Sequence, residues 1–365
     1  MSTFNTPKIQ NTSGGAPDFT QGFTVGGVDI SSLVTMTEFY TGSSKPSGVA
    51  NGAVWYDGTN VKQYINGGWY TLTLSPPPTW FGSRGLFSGG NSSNVIDYIS
   101  IATPGNATDF GDLTVARGSL GSCSNGTRGI FGGGYASGYS NVIDYVTIAS
   151  TGNATDFGDL TVTRNGIGSC SDGTYGLFAG GWNGSATENT IDYVTIASTG
   201  NATDFGDMTT ARENITSCSD GTYGLFAGGF LSDLTRSNTI DYVTIATTGN
   251  ATDFGDMTVG RTGLGGCSSE TRGLFGGGNT TVSTTNVIDF VTIATPGNAT
   301  DFGDLTVARG SPEACADGTY GVFGGGFNPT ASNVIDYVTI ASTGNATDFG
   351  DLTVARGNNA ACSGD

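Results

Sequence analysis

The chain has 365 residues, 62 of them glycine, with 36% hydrophobic and 12% charged residues and a formal net charge of −18 at pH 7. That mix suits short strands and tight turns and does not fit disorder, while the acidity argues against nucleic-acid backbones and anionic membranes, which need clustered Lys and Arg. Histidine is absent, which removes Ser-His-Asp triads, His-containing zinc sites and imidazole acid–base chemistry.

In chain order, the opening MSTFNTPKIQ lacks the apolar core of a secretory signal, and no run reaches the length of a membrane-spanning helix. Synthesis in a cytoplasm is the expectation. Residues 1–45 read as an extended segment of glycine-broken apolar pairs, the kind that orders on a partner or in an oligomer. Residues 46–75 read as a small β module whose short strands are joined by Asp-Gly and Asn-Gly turns. SPPPT (75–79) is a stiff linker.

A repeat follows. NATDFGDLTVAR at 106–117 returns letter for letter at 298–309 and 345–356, with near copies starting at 153, 201 and 250. Asp109, Asp156, Asp204, Asp253, Asp301 and Asp348 are spaced 47 to 49 residues apart, and Cys123, Cys170, Cys218, Cys267, Cys315 and Cys362 keep the same spacings. A period of this length marks a propeller or a solenoid. Each unit reads as four strands, exemplified by 118–126, 127–134, 141–149 and 154–162, with turn-forming STGN between the last two. Val142, Asp144, Val146 and Ile148 alternate with Ile143, Tyr145, Thr147 and Ala149, so both faces of the third strand are mostly apolar and both should be covered. No segment has helical periodicity, and the fold class is all-β.

The ends select the ring over the stack. The repeat region begins at residue 79 with a second strand and ends at 357–365 with a first strand. The tail therefore completes the N-terminal blade, which closes a six-bladed propeller and removes its sheet edges.

Among the repeated residues, Arg117, Arg164, Arg212, Arg261, Arg309 and Arg356, with the aspartate of IDY or IDF, are candidates for a structural ion pair in every blade, since a buried carboxylate needs a partner. Asn106, Asp109 and Asp112 offer oxygen ligands at close spacing, but without the alternating pattern of a calcium loop; capping of turns is the preferred role. The repeated NAT sequon reads as turn sequence. The cysteines fall on first strands, innermost in a propeller, and read as small packing residues set too far apart for disulfides. CSDGTYG resembles part of the Asp box of sialidase propellers, but it lacks the tryptophan and recurs, which makes it a fold marker and not an active site.

The copies differ in two places: the second-to-third loops and the connections that follow the arginine. In a four-stranded meander these emerge on one face of the disc. Tyr135, Tyr139, Trp182, Phe230, Arg236 and Phe327 stand in the loops and are the candidate ligand-binding residues. Aromatics beside polar neighbours suit recognition, including stacking on sugar rings. The competing reading is that they cover the blade ends.

The order of Gly-Gly after the second strand (Gly89-Gly90, Gly180-Gly181, Gly228-Gly229), tyrosine in the third (Tyr98, Tyr145, Tyr193) and phenylalanine in the fourth (Phe110, Phe157, Phe205), then Leu or Met and Arg, resembles the kelch repeat over residues 79–365. It has Phe where kelch repeats usually have Trp. The run NGAVWYDGTNVKQYINGGWYTL resembles a small β module frequent in tail-fibre and appendage proteins of bacteriophages. The TGNATDFGDLT units are similar to repeats in structural proteins of marine phages, especially cyanophages. These resemblances imply a kelch-like six-bladed β-propeller with a small N-terminal attachment region, located in the virion as a tail fibre or appendage. They imply partners among other virion proteins through the N-terminal segment and a host-surface glycan or protein at the propeller, in a homo-oligomer. No enzymatic activity, cofactor, metal, nucleic acid or membrane insertion is expected. Two alternatives stay open: a capsid or tail decoration protein acting as a spacer, and a polysaccharide-degrading enzyme, for which carboxylate pairs would suffice but every obvious carboxylate is repeated.

Overall fold

The computed structural model describes residues 81–365 apart from 92, together with short stretches between 24 and 71. The chain divides into two units, Met1–Pro77 and Pro78–Asp365, and all regular structure among the described residues is β.

In the first unit, Thr24–Val25 pairs with Val28–Asp29, and Phe39–Thr41, Val54–Tyr56, Val61–Ile65 and Gly68–Thr71 form a four-stranded sheet in that order. The first pairing of that sheet is parallel and the other two are antiparallel. The module expected over 46–75 thus takes in a strand from the segment before it. Trp55 is buried and meets Trp69 edge-on at 5.6 Å. The rest of the segment expected to be extended, and the linker at 75–79, lie outside the described residues.

The second unit is a six-bladed β-propeller, each blade a four-stranded antiparallel meander. Blade 2 shows the pattern: Gly121–Ser124, Arg128–Gly132, Val142–Thr147 and Thr155–Asp159, from the axis outward. Blades 3 to 6 begin at Gly168, Thr216, Gly265 and Glu313. Blade 1 is closed by the tail, as expected: Ala360–Gly364 pairs with Arg84–Ser88, and Cys362 faces Leu86 as Cys123 faces Ile130. Asp365 latches the joint by accepting from Ser83 N at 2.6 Å and Ser83 Oγ at 2.7 Å.

Apolar side chains on both sheet faces build six similar cores between blades, one of them formed by Cys123, Ile130, Ile143, Phe157, Leu160, Phe178 and their neighbours. The cysteines are free and buried. Each packs on a second-strand glycine of the next blade; a Cβ on Gly176 would lie 2.7 Å from Cys123 Sγ. Burial raises every one of these thiols, to about 12 for Cys267 and Cys362.

The ion pairs form, but they cross from one blade to the next instead of lying within one. Arg117, which follows blade 1, meets Asp144 of blade 2 at 2.9 Å, and Arg356 meets Asp97 at 2.8 Å to close the ring. All six pairs are buried. Burial lowers the guanidinium pKa of Arg164, Arg212, Arg261, Arg309 and Arg356, and the facing aspartate pushes back. The threonine three residues before each arginine donates its hydroxyl to the same carboxylate, as Thr114 does to Asp144 at 2.6 Å. At the rim, the asparagine of each NAT accepts from an aspartate N–H of the preceding blade, as Asn153 does from Asp112 at 3.1 Å. Gly111 has φ 148°, and a Cβ there would strike the Gly152 carbonyl of the next blade. The asparagine, phenylalanine, glycine, leucine or methionine, threonine and arginine of the twelve-residue repeat therefore each have a structural role, most of them at a junction between blades.

Candidate functional site

The two variable stretches share one face of the disc and are hydrogen-bonded to each other. Gly118 and Tyr135 exchange both backbone bonds, at 3.0 and 2.8 Å. The same bridge joins Asn165 to Trp182, Glu213 to Phe230, Thr262 to Asn279 and Gly310 to Phe327. Tyr135, Trp182, Phe230 and Phe327 thus occupy one repeated backbone position, each clamped to the connection that leads into its blade, while Tyr139 and Arg236 pair across the loop with Tyr135 and Phe230.

The connection after the arginine is less free than its sequence suggests. Its second residue is Ser119, Gly166, Asn214, Gly263, Ser311 or Asn358, and all six have left-handed φ between 51° and 64°. Serine, glycine and asparagine share little except tolerance of turn backbones. These residues link into a closed ring: Ser119 N donates to Asn358 O, Gly166 N to Ser119 O, Asn214 N to Gly166 O, and so on to Asn358 N on Ser311 O, at 2.7 to 3.3 Å. Six peptide groups therefore crown the axis on this face. The side chains of these variable connections thus differ on a shared hydrogen-bonded backbone.

What remains for recognition is the second-to-third loops. Tyr135, 44% exposed, meets Tyr139 edge-on with centroids 5.1 Å apart. Trp182 of blade 3 donates Nε1–H to the Tyr139 hydroxyl at 3.1 Å, so these three candidates form one aromatic cluster across two blades. In blade 4, Arg236 lies over the Phe230 ring at 5.1 Å. Phe327 stands separately on blade 6, against Gly357. Tyr139, Trp182, Phe230 and Phe327 are half-buried, so part of each ring seals a blade end and part faces solvent.

Arg236 differs from the other propeller arginines. Six of those are in the buried pairs, while Arg84, Arg128 and Arg272 stack on Tyr98, Tyr145 and Phe290 and donate to carbonyls of the next blade. Arg236 forms no buried pair: it stacks on Phe230 of its own loop, and its Nε is buried without a partner. Beside it, Leu234 is 71% exposed at φ 64°, a backbone conformation that costs a bulky residue energy. Asp233 is held below its usual carboxylate range by the Thr235 hydroxyl and N–H. Half-buried Glu213, whose carboxyl is raised by burial, follows the paired Arg212 into this blade. Leu234 and Glu213 were not singled out in the sequence; the length of FLSDLTRSNT, the longest such segment, was the only signal.

Among the described residues, no group of three or more His, Cys, Asp or Glu side chains is placed to hold a metal ion. The outward turns opposite this face repeat their sequence, and there Phe81, where the chain enters the propeller, joins the first strands in lining the axis. No protein-family model matches the sequence, and no curated protein matches it significantly.

Proposed function

We propose that the chain is a recognition protein whose propeller displays the second-to-third loops to a glycan or protein on a host surface, as part of a phage tail fibre or appendage. The observation that carries the binding role is the aromatic cluster of Tyr135, Tyr139 and Trp182: it spans two blades, uses the polar end of each inner ring internally and leaves a ring exposed. Such flat, partly wet aromatic surface is what sugar stacking and interface anchoring require. The adjacent Phe230–Arg236 pair adds a cation that no other blade presents. A further support is that the chain enters the propeller on the face opposite these loops. The viral setting rests on the resemblance of the N-terminal module and of the repeats to phage structural proteins.

The test is glycan-array and cell-surface binding by the full chain and by Trp182→Ala. Binding that falls in the variant supports the reading. A full chain that binds no surface component leaves the spacer role, and release of reducing ends from a polysaccharide would establish the enzyme.

A further inference from the structure

The propeller axis carries two belts of hydroxyl groups. In the belt near the repeated turns, Ser124, Ser171, Ser219, Ser268 and Ser363 each donate to a first-strand carbonyl of the preceding blade at 2.5 to 2.7 Å. In the belt beneath the peptide crown, only Ser122, Ser169 and Ser217 do so, to the carbonyls of Ala361, Ser122 and Ser169 at 2.6 to 2.8 Å. The remaining positions are Gly266, Ala314 and Ala361. The carbonyls of Ser217, Gly266 and Ala314 consequently receive no hydroxyl from the next blade, and the gap spans three consecutive blades.

Glu313 stands at this gap. The other blades have Gly121, Gly168, Thr216, Gly265 and Ala360 at its position. Its carboxylate makes no hydrogen bond or ion pair among the described residues, and it is the only titratable side chain lining a cavity of about 30 Å³ beneath the crown. Burial pushes its carboxyl well above the ordinary carboxylate range. At the same seam, Asn359 replaces the Leu120, Ile167, Ile215, Leu264 and Pro312 of other blades, with both amide heteroatoms buried and unpartnered. Glu313 is half-buried, with its carboxylate facing this cavity, and packing alone calls for no carboxyl group here.

A carboxylate beside carbonyl oxygens that receive no hydroxyl offers a set of oxygen ligands, the kind that takes hard cations. A cavity of about 30 Å³ has room for a small ion. The net charge of −18 raises the local concentration of cations. We propose that this axial cavity binds a single hard cation through the Glu313 carboxylate and the free carbonyls of Ser217, Gly266 and Ala314. Occupancy makes three of the six near-identical seams dependent on an ion, and it is independent of what the loops recognise.

The test uses the full chain, stripped with chelator into tetramethylammonium buffer, then melted in CaCl₂, MgCl₂, NaCl or KCl at matched ionic strength. Wild type should gain several degrees from one of these cations and Glu313→Gln should not, although Glu313→Gln should melt above cation-free wild type at neutral pH. Protons compete for the same oxygens, so the shift should fade as pH falls through the raised Glu313 pKa. Ala314→Ser keeps the carboxylate but supplies the missing hydroxyl to the Gly266 carbonyl; its half-saturating concentration should rise about tenfold. Equal responses of wild type and Glu313→Gln, or no response of wild type to any cation, would overturn the proposal. If Glu313→Gln does not fold, an unchanged response of Ala314→Ser overturns it.

Discussion

On one face of the disc the chain reverses through turns such as Thr151-Gly152-Asn153, which recur almost unchanged from blade to blade; on the other it reverses through loops and connections that differ in length and chemistry. Both faces join neighbouring blades, so the difference is not one of structural importance. The repeated turns and the strands beside them join through main-chain bonds, such as Gly152 N–H to Phe110 O, and also through side chains: Asn153 on Asp112 N–H, Cys123 Sγ on Gly176, Arg117 on Asp144. The variable face joins mainly through main-chain groups, in the bridges and in the crown of six peptides, with the Trp182–Tyr139 bond as a side-chain exception. Side-chain contacts fix residue identity, whereas main-chain contacts fix only backbone conformation. Ser119, Gly166 and Asn214 satisfy the same left-handed requirement. Freedom to vary is therefore available on a face that is nonetheless rigidly held, which is what a recognition surface needs.

The strongest way to break this comparison is to remove the piece that serves both faces. Deleting residues 357–365 takes out the closing strand, one crown peptide and the Asp365 latch. The loss should be comparable with the whole stability of a domain, about 5–15 kcal/mol, and a circular-dichroism melt should lose its cooperative transition. A truncated chain that melts with the intact one would mean the ring is not closed this way.

Next in size are the interblade ion pairs. Arg212→Met strands Asp241 as a buried charge and should cost about 3–5 kcal/mol in urea unfolding. Adding Asp241→Leu should recover much of that loss, because an apolar pair of similar volume carries no desolvation penalty. If the single and double variants are equally unstable, packing and not charge explains the site.

Glycine allows the same substitution to be compared at the rim and at a loop tip. Gly158 has φ 148° and no room for a Cβ against Gly200, whereas a Cβ on Gly138 would meet nothing within 4 Å. Gly158→Ala should cost about 1–3 kcal/mol and Gly138→Ala within about 0.5 kcal/mol. Equal costs would remove the distinction between clasped rim and free tip.

The cysteines between the faces sharpen it further. With burial raising every thiol, to about 12 for Cys267 and Cys362, no native thiolate forms at pH 8. Alkylation followed by mass spectrometry should find all six modified only after unfolding; rapid labelling of any one in native protein would show that its blade junction opens.

The smallest stability effects belong to the recognition loops. Trp182→Ala should cost about 1 kcal/mol in stability through the lost Tyr139 bond, and Leu234→Ser about 0.5 kcal/mol or less. In surface binding, Trp182→Ala should weaken attachment by about 1–3 kcal/mol. A loss of stability in Trp182→Ala with unchanged binding would assign that ring to sealing blade ends.

The sequence by itself determined the all-β class, the number of blades, the strand order within each and the closure by residues 357–365. Periodicity is a one-dimensional signal, and an offset repeat has only one economical way to satisfy its edge strands. It also identified the Arg–Asp partners by residue type, since a repeated buried carboxylate demands a repeated cation. Tertiary structure decided that those pairs cross between blades, because Arg117 and Asp144 belong to different repeats and only the packing angle of adjacent blades brings them to 2.9 Å. It alone disclosed the peptide crown, where main-chain bonds leave no mark on residue identity beyond tolerance of positive φ. It joined Tyr139 to Trp182, 43 residues apart in the chain. It also set Glu313 beside donor-free carbonyls on the axis, a juxtaposition created by ring closure, which no local pattern in the chain encodes.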